Sequence, residues 1–451
     1  MCTSQELSDI QKSTDLSVAC RDSDVRSVKA IIMGPHETPY EFGFFEFAVR
    51  FGKDSTQTFT PTERFVCKCS LLNSPTEKML TCIQLNIGVC NKDDDLTSVV
   101  LTGIRTWRGE RGEEWSSAQG LESILLSIQS LMSGNPYENE PGFEDMNEES
   151  DRQLQKAYAD KIRHETLRIS VIQRMEEYLG IKPDGMIERV ANEQDPGTSD
   201  MDEDPSVPFE PFKDLCKRRF LWYYESYLAA VQQGKAEIND QQNFTRMPFE
   251  SPSSNSIEGK FYYTNLERRL RTIKAKLDAE PEIWVKEGLL AVKAETTVAV
   301  NLKHQYEQVL AAFKRSDLPH DIKLENDNPF VWVITYFGKP MTNLDGGLFR
   351  IKMHFSPKFP HEQPRVRFET KIFHHHVAPD GTACYATDSY KREDVRSHIE
   401  AIIACLEDDE PAYDPRKTVN PEASKLLWSN KPEDKKKYNR MLRRSVQRSM
   451  E

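Results

Sequence analysis

Cys384 follows the run Pro379-Asp380-Gly381 and stands ten residues after His374, at the end of the segment HHHVAPDGTAC. A thiol that follows such a turn is suited to nucleophilic chemistry: its thiolate attacks an activated carbonyl, forms an acyl intermediate and hands the acyl group on. The ordinary role of a lone cysteine is a small buried hydrophobe, which is how Cys405 reads within IEAIIACL. On residue types alone both roles stay open for Cys384. His374 and His376, with His354, His361 or Cys384, offer nitrogen and sulfur for zinc, yet no closed-site spacing is repeated, so neither metal nor cofactor is expected. Nine scattered cysteines without a C-x-x-C pair, and a start lacking the basic and apolar regions of a signal peptide, point to reduced thiols in cytoplasm or nucleus. No apolar run is long enough for a membrane span.

These residues must be held by folded elements, and the composition allows for them. The 451 residues suggest two or three domains at about 150 residues each. With 60 basic and 72 acidic residues the net charge is −12, which argues against a general nucleic-acid binder. Residues 191–212 carry no Lys or Arg but have Asp195, Asp200, Asp202, Glu203 and Asp204 among prolines and serines, and 232–259 is a second polar stretch; both read as linkers. Between Asp151 and Leu179, apolar residues at Leu154, Tyr158, Ile162, Ile169, Ile172 and Leu179 lie on one face of a long helix that Gly180 can end. FLWYYESYLAA from Phe220, LERRLRTIKAKL from Leu266 and LKHQYEQVLAAFKR from Leu302 are further helices, and the aromatic stripe of the first is read as core. A terminal helix carries seven basic residues and no acid from Lys435 to Arg448, a solvated face or a dock for an acidic partner.

An internal repeat organises the whole. GPHETPYEFGFFEFAVRF from Gly34 lies on GKPMTNLDGGLFRIKMHF from Gly338 at an offset of 304 without gaps, so that Gly43 matches Gly347 and Phe45 matches Phe349. In each copy a turn leads into alternation (Phe45, Phe47, Val49, Phe51; Phe349, Ile351, Met353, Phe355), the pattern of a half-buried strand. The expected organisation is α+β: a first module over 1–150, a helical extension over 151–290 and a second module over 291–451.

On these motifs both modules resemble the ubiquitin-conjugating enzyme family, whose fold is a four-stranded antiparallel sheet with flanking helices. In the second copy Phe359, Pro360 and Pro364 match the family's proline-rich turn, His374 its His-Pro-Asn histidine in the active-site loop, and Cys384 its thioester cysteine. The first copy is similar to the Z-type branch over ETPYEFGFF, Thr106-Trp107 and EWSSAQGLESILLSIQSLMSGNPYENEPGFE, and the helical extension is similar as well. There Val100 stands where the cysteine belongs, and valine cannot form a thioester, so this module resembles a pseudoenzyme.

The resemblance implies a transferase that carries ubiquitin or a ubiquitin-like modifier on Cys384. Its partners would be an activating enzyme, and a ligase or substrate lysine. The motif asparagine, which donates to the oxyanion in the family, is replaced by His376, whose neutral imidazole has one N–H to offer instead. Asp408, Asp409, Glu410 and Asp414 occupy the loop where the family places a polar gate near the cysteine; Asp414 is the candidate to orient the amine or take its proton, against a solvated acidic loop. The alternative function is a non-catalytic scaffold that binds ubiquitin or ligases through both modules.

Overall fold

The computed structural model describes residues 15–21, 23–50, 66–69, 99–100, 121–140, 142–144, 148–182, 209–250, 257–316, 320–408 and 411–451. Phe51, the segment 52–61, Thr106, Trp107, the acidic residues from Asp195 to Asp204, Asp409 and Glu410 lie outside the described residues. By contacts the described chain falls into two units. One holds the residues up to 182 with 209–212 and 230–269; the other holds 213–229 with 270–451.

The first unit contains an antiparallel sheet of β1 (Leu16–Arg21), β2 (Asp24–Met33), β3 (Phe44–Arg50), β4 (Val66–Cys69) and β5 (Val99–Val100), in that order. It has one strand more than the resemblance implies, because Val99 and Val100 pair with Cys67 and Val66. Leu16, Val18, Phe45, Phe47 and Val49 form one buried core with Leu125 and Ile128 of α1 (Leu121–Ser130). α2 (Glu149–Glu165) runs through a π-helical stretch, Thr166–Gln173, into α3 (Arg174–Leu179), where Gly180 at φ 61° ends it as expected.

The second unit repeats the first three strands. β6 (Asp321–Glu325), β7 (Asn328–Phe337), β8 (Leu348–His354) and β9 (Arg365–Phe368) pair in that order. Adding 304 to the bounds of β2 and β3 gives those of β7 and β8, and the pairs Ser27↔Arg50 and Arg21↔Asp24 become Val331↔His354 and Glu325↔Asn328. The turns repeat too: Gly34 donates its N–H to Gly43 O at 2.9 Å and Gly338 donates to Gly347 O at 2.8 Å. A Cβ on Gly34 or Gly338 would sit 1.7 Å from the carbonyl oxygen of Tyr40 or Leu344, so the close approach demands glycine at both positions.

Two long helices carry the expected helical segments and run beyond them: α4 (Lys213–Glu237) and α5 (Tyr263–Lys293). α6 (Thr297–Ser316) precedes β6. α7 (Val395–Glu407), α8 (Pro421–Leu427) and α9 (Pro432–Ser449) follow the cysteine loop. Trp332, Tyr336, Phe349, Ile351 and Phe355 make a buried core with Ile399 and Ile402 of α7 and Leu442 of α9. In α9 the buried residues Tyr438, Leu442, Ser445 and Val446 recur every three or four positions, while all seven basic residues are exposed. No described helix is long and apolar enough to cross a membrane.

Candidate functional site

The cysteine loop is built on the edge of β9. Phe368 donates to Gly381 O at 2.8 Å and Ala383 to Val366 O at 3.2 Å, so the chain leaves β9, passes the histidines and returns alongside the same strand. The reversal is the Pro379-Asp380-Gly381 turn, closed by Gly381 N–H on Ala378 O at 2.9 Å. Gly381 has φ +89°, and a Cβ there would lie 2.3 Å from Phe368 O, which explains why a Gly is required. The Asp380 carboxylate accepts from Thr382 N–H at 2.9 Å and from Lys274 of α5 at 2.7 Å. Burial alone would raise Asp380, but the Lys274 charge and hydrogen bond outweigh it and hold the group below the usual carboxylate range.

This architecture places Cys384 directly behind the turn, its N–H donated to His376 O at 2.8 Å. The turn does not bring the thiol to the surface. Cys384 is 3% exposed, and burial pushes its thiol well above the ordinary value, with the positive charge of Arg219 from α4 as the leading opposing influence. Cys405 lies on α7 as expected, half-buried, its thiol pushed up to about 11 by burial. Cys384 and Cys405 are both free thiols.

The three histidines are internal braces. His374 is buried, accepts the His376 backbone N–H on Nδ1 at 3.1 Å, and is driven down to about 3 by burial, so it is neutral at pH 7. His375 is buried edge-on against Trp428 at 5.0 Å, with Nδ1 3.1 Å from the Tyr438 hydroxyl. His376 lies 2.7 Å from Lys417 O through Nδ1. A carbonyl only accepts, so Nδ1 carries the proton, and burial keeps the ring neutral by lowering its pKa. Nε2 is then a lone pair. His376 is expected to offer an N–H to an oxyanion, and in this geometry its single N–H is donated to Lys417 O. Among the described residues no group of three His, Cys, Asp or Glu side chains is arranged to hold a metal ion.

Asp414 is likewise occupied. Its carboxylate accepts from Arg416 Nε at 2.7 Å, Arg416 Nη2 at 3.1 Å and Arg416 N–H at 3.1 Å, capping the short 3-10 turn Pro415–Lys417. Burial would raise its pKa, but the hydrogen bonds and charge of Arg416 prevail and hold it below the usual range. A carboxylate so stabilised is a poor base, so the proton-removing role expected of Asp414 is not supported by this geometry.

The helical extension supplies residues that motif reading did not single out. Arg219 and Tyr223 both donate to Arg416 O, at 3.4 and 3.1 Å. Asp214 meets Arg365 of β9 at 2.9 Å, a close ion pair without hydrogen-bond alignment, and accepts from Arg218 at 3.0 Å and Gln363 N–H at 3.2 Å. Lys217 joins Glu280 at 2.6 Å, and Arg365 stacks on Trp284 at 4.9 Å. Beyond the cysteine, His398 donates Nε2–H to Arg392 O at 3.0 Å, leaving Nδ1 to accept from Tyr385 Oη at 3.1 Å. Tyr385 is thereby tied to α7. The only sequence signal for these contacts was the basic run Lys217-Arg218-Arg219 ahead of the aromatic stripe.

Two antiparallel sheets with flanking helices, one followed by a histidine-rich loop and a cysteine after a Pro-Asp-Gly turn, define an α+β protein of the class that resembles ubiquitin-conjugating enzymes. The model of the ubiquitin-conjugating enzyme family matches residues 3–166 and 302–443, more than half of the 451. The chain belongs to the ubiquitin-conjugating enzyme family. It is similar to ubiquitin-conjugating enzyme E2 Z of Homo sapiens, 31% identical over 254 residues that make up 56% of this chain and 56% of that protein. The E2 Z of Xenopus tropicalis is 37% identical over 153 residues, 34% of this chain and 42% of that protein. Ubiquitin-conjugating enzyme E2 3 of Arabidopsis thaliana is 30% identical over 131 residues, 28% of this chain and 80% of that protein. The chain thus spans about half the length of the human relative.

Proposed function

We propose that this chain carries ubiquitin or a ubiquitin-like modifier as a thioester on Cys384 and passes it to a substrate lysine or a ligase cysteine, in cytoplasm or nucleus. One observation carries the reading: Cys384 closes the loop that starts at His374 and is fixed to it by the Cys384 N–H to His376 O bond of 2.8 Å. In the loading step the Cys384 sulfur attacks the thioester carbonyl on the activating enzyme, forming a new S–C bond while the enzyme's cysteine leaves as thiolate. In transfer, an amine or thiol attacks the same carbonyl and Cys384 leaves.

The second reading is a non-catalytic member that binds modifier or ligase through its modules. It is favoured by the 3% exposure of Cys384 and by the engagement of His376 Nδ1–H with Lys417. A charging assay separates the two: full chain, ATP, ubiquitin and an activating enzyme, run on a non-reducing gel beside Cys384→Ala. A shifted band lost with reductant and absent in the variant supports the carrier. No band with any modifier and activating enzyme, from folded native protein and from a folded variant whose Cys384 is open to alkylation, leaves the binding scaffold.

A further inference from the structure

We propose that the first part of α4, residues 213–229, is a releasable cover over Cys384, so that the extension controls access to the thiol. The inference rests on Cys384 being the functional cysteine for its consequence, though not for its test.

The contacts surround the cysteine loop from two sides. On one side Lys274 of α5 grips Asp380, four residues before Cys384, at 2.7 Å. On the other, Arg219 and Tyr223 of α4 donate to Arg416 O, and the next carbonyl, Lys417 O, accepts from His376, whose own carbonyl holds the Cys384 N–H. α4 and α5 are joined by Lys217 and Glu280 at 2.6 Å and by Lys274 over the Tyr224 ring at 5.5 Å, so both grips belong to one helix pair. The charge of Arg219 acts on Cys384, and those of Arg218 and Asp214 act on Tyr385, in keeping with the hydrogen bonds that Arg219 and Tyr223 make to Arg416 O.

A thiol at 3% exposure cannot meet a second protein's thioester. Reaction therefore requires an opened state, in which Arg219 and Tyr223 exchange their hydrogen bonds to Arg416 O for water at modest net cost. Modifier loading would then wait on release of α4 by a partner or a substitution that competes for Arg219, Tyr223 or Asp214.

Iodoacetamide labelling of Cys384, followed by mass spectrometry of its peptide in the full chain, reads the cover without any activating enzyme. Native protein should label at least about tenfold more slowly than urea-unfolded protein, because only the opened fraction reacts. Tyr223→Phe should raise the native rate several-fold, and Tyr223→Phe with Arg219→Gln by roughly tenfold, as two hydrogen bonds that favour the closed state are lost. The rise is expected even though Arg219→Gln removes a charge that favours thiolate. If the double variant does not fold, the Tyr223→Phe single, which deletes one oxygen atom, carries the same comparison. Native labelling as fast as unfolded labelling, or protection that Tyr223→Phe leaves unchanged, overturns the cover. Variants that label faster and also charge faster support it. Faster labelling without charging upholds the cover and removes the thioester function.

Discussion

His376 Nδ1 and the Lys417 carbonyl oxygen are 2.7 Å apart, and because the carbonyl can only accept, this contact fixes which nitrogen bears the histidine proton. The ring has then no second N–H for a developing oxyanion. His376→Ala should therefore leave lysine discharge from charged Cys384 within about twofold, whereas one lost oxyanion donor costs about 100-fold or more. His376→Asn, which supplies an amide N–H, should accelerate discharge. Single-turnover discharge to free lysine reads both variants; a large loss in His376→Ala would show that the ring does act on the oxyanion. The same Ala variant should lose about 1 kcal/mol of stability with its hydrogen bond.

Gly381 tests whether the loop depends on its backbone. At φ +89°, with Phe368 O 2.3 Å from where a Cβ would stand, Gly381→Ala must move either the turn or β9. A loss of about 1–3 kcal/mol is expected, and Cys384 should label faster as its loop detaches. Gly142, φ +84° with nothing within 4 Å of its Cβ, is the control: Gly142→Ala should pay only the conformational strain. Equal denaturation midpoints for the two variants would contradict the steric argument.

Asp214 is the partner whose loss should cost most. It lies buried between Arg365 and Arg218, with Glu280 another 3.6 Å from Arg365. Asp214→Ala leaves the buried Arg365 guanidinium with reduced compensation, a change of about 3 kcal/mol for a broken buried pair. Asp214→Leu combined with Arg365→Met removes both charges and should recover much of that loss. Urea denaturation of the three proteins decides it: a double variant no better than the single would mean that packing, rather than charge, sets the cost.

Much of this fold is legible in the amino-acid sequence. The offset of 304 was visible over Gly34–Phe51 because glycine and alternating apolar residues answer local demands: a carbonyl 1.7 Å from any Cβ, and one buried face per strand. The π-helical stretch was invisible. Thr166, Leu167, Ile169, Ser170, Val171 and Ile172 are all buried, so no facing pattern records the Arg174 N–H reaching Ile169 O. The site was legible as a spacing, His374 to Cys384, but not as an environment. What acts on the thiol includes Arg219, 165 positions earlier, and a cysteine on a turn looks the same whether a helix lies over it or not. Asp414 shows the same limit at short range: Arg416 was in view two residues on, yet only geometry distinguishes a cap from a gate.

The buried histidines give the C-terminal unit a pH signature. His374 holds its folded pKa down to about 3 against an ordinary 6.5, and burial also lowers His375 and His376. The groups facing them are the Tyr438 hydroxyl and Trp428 ring on His375, and Lys417, Asp408 and Asp414 around His376, where the two carboxylates favour the proton and Lys417 opposes it. Between these values the unfolded chain binds protons that the folded chain refuses. The contribution is therefore complete above pH 6.5 and is lost as pH falls toward the folded values, by up to about 1.4 kcal/mol per pH unit for each histidine. His354 and His398, each near 4, add in the same direction. Asp214 and Asp414, held below their ordinary 3.8, lose their contribution only at lower pH, so between about pH 5 and 6.5 the histidines are opposed chiefly by Glu140, which burial pushes up to about 7, and by Glu225, which burial also raises. Urea midpoints across that window should fall with pH, and His375→Phe, which keeps a ring against Trp428 and Tyr438, should flatten the slope. An unchanged slope in that variant would place the protons on other groups.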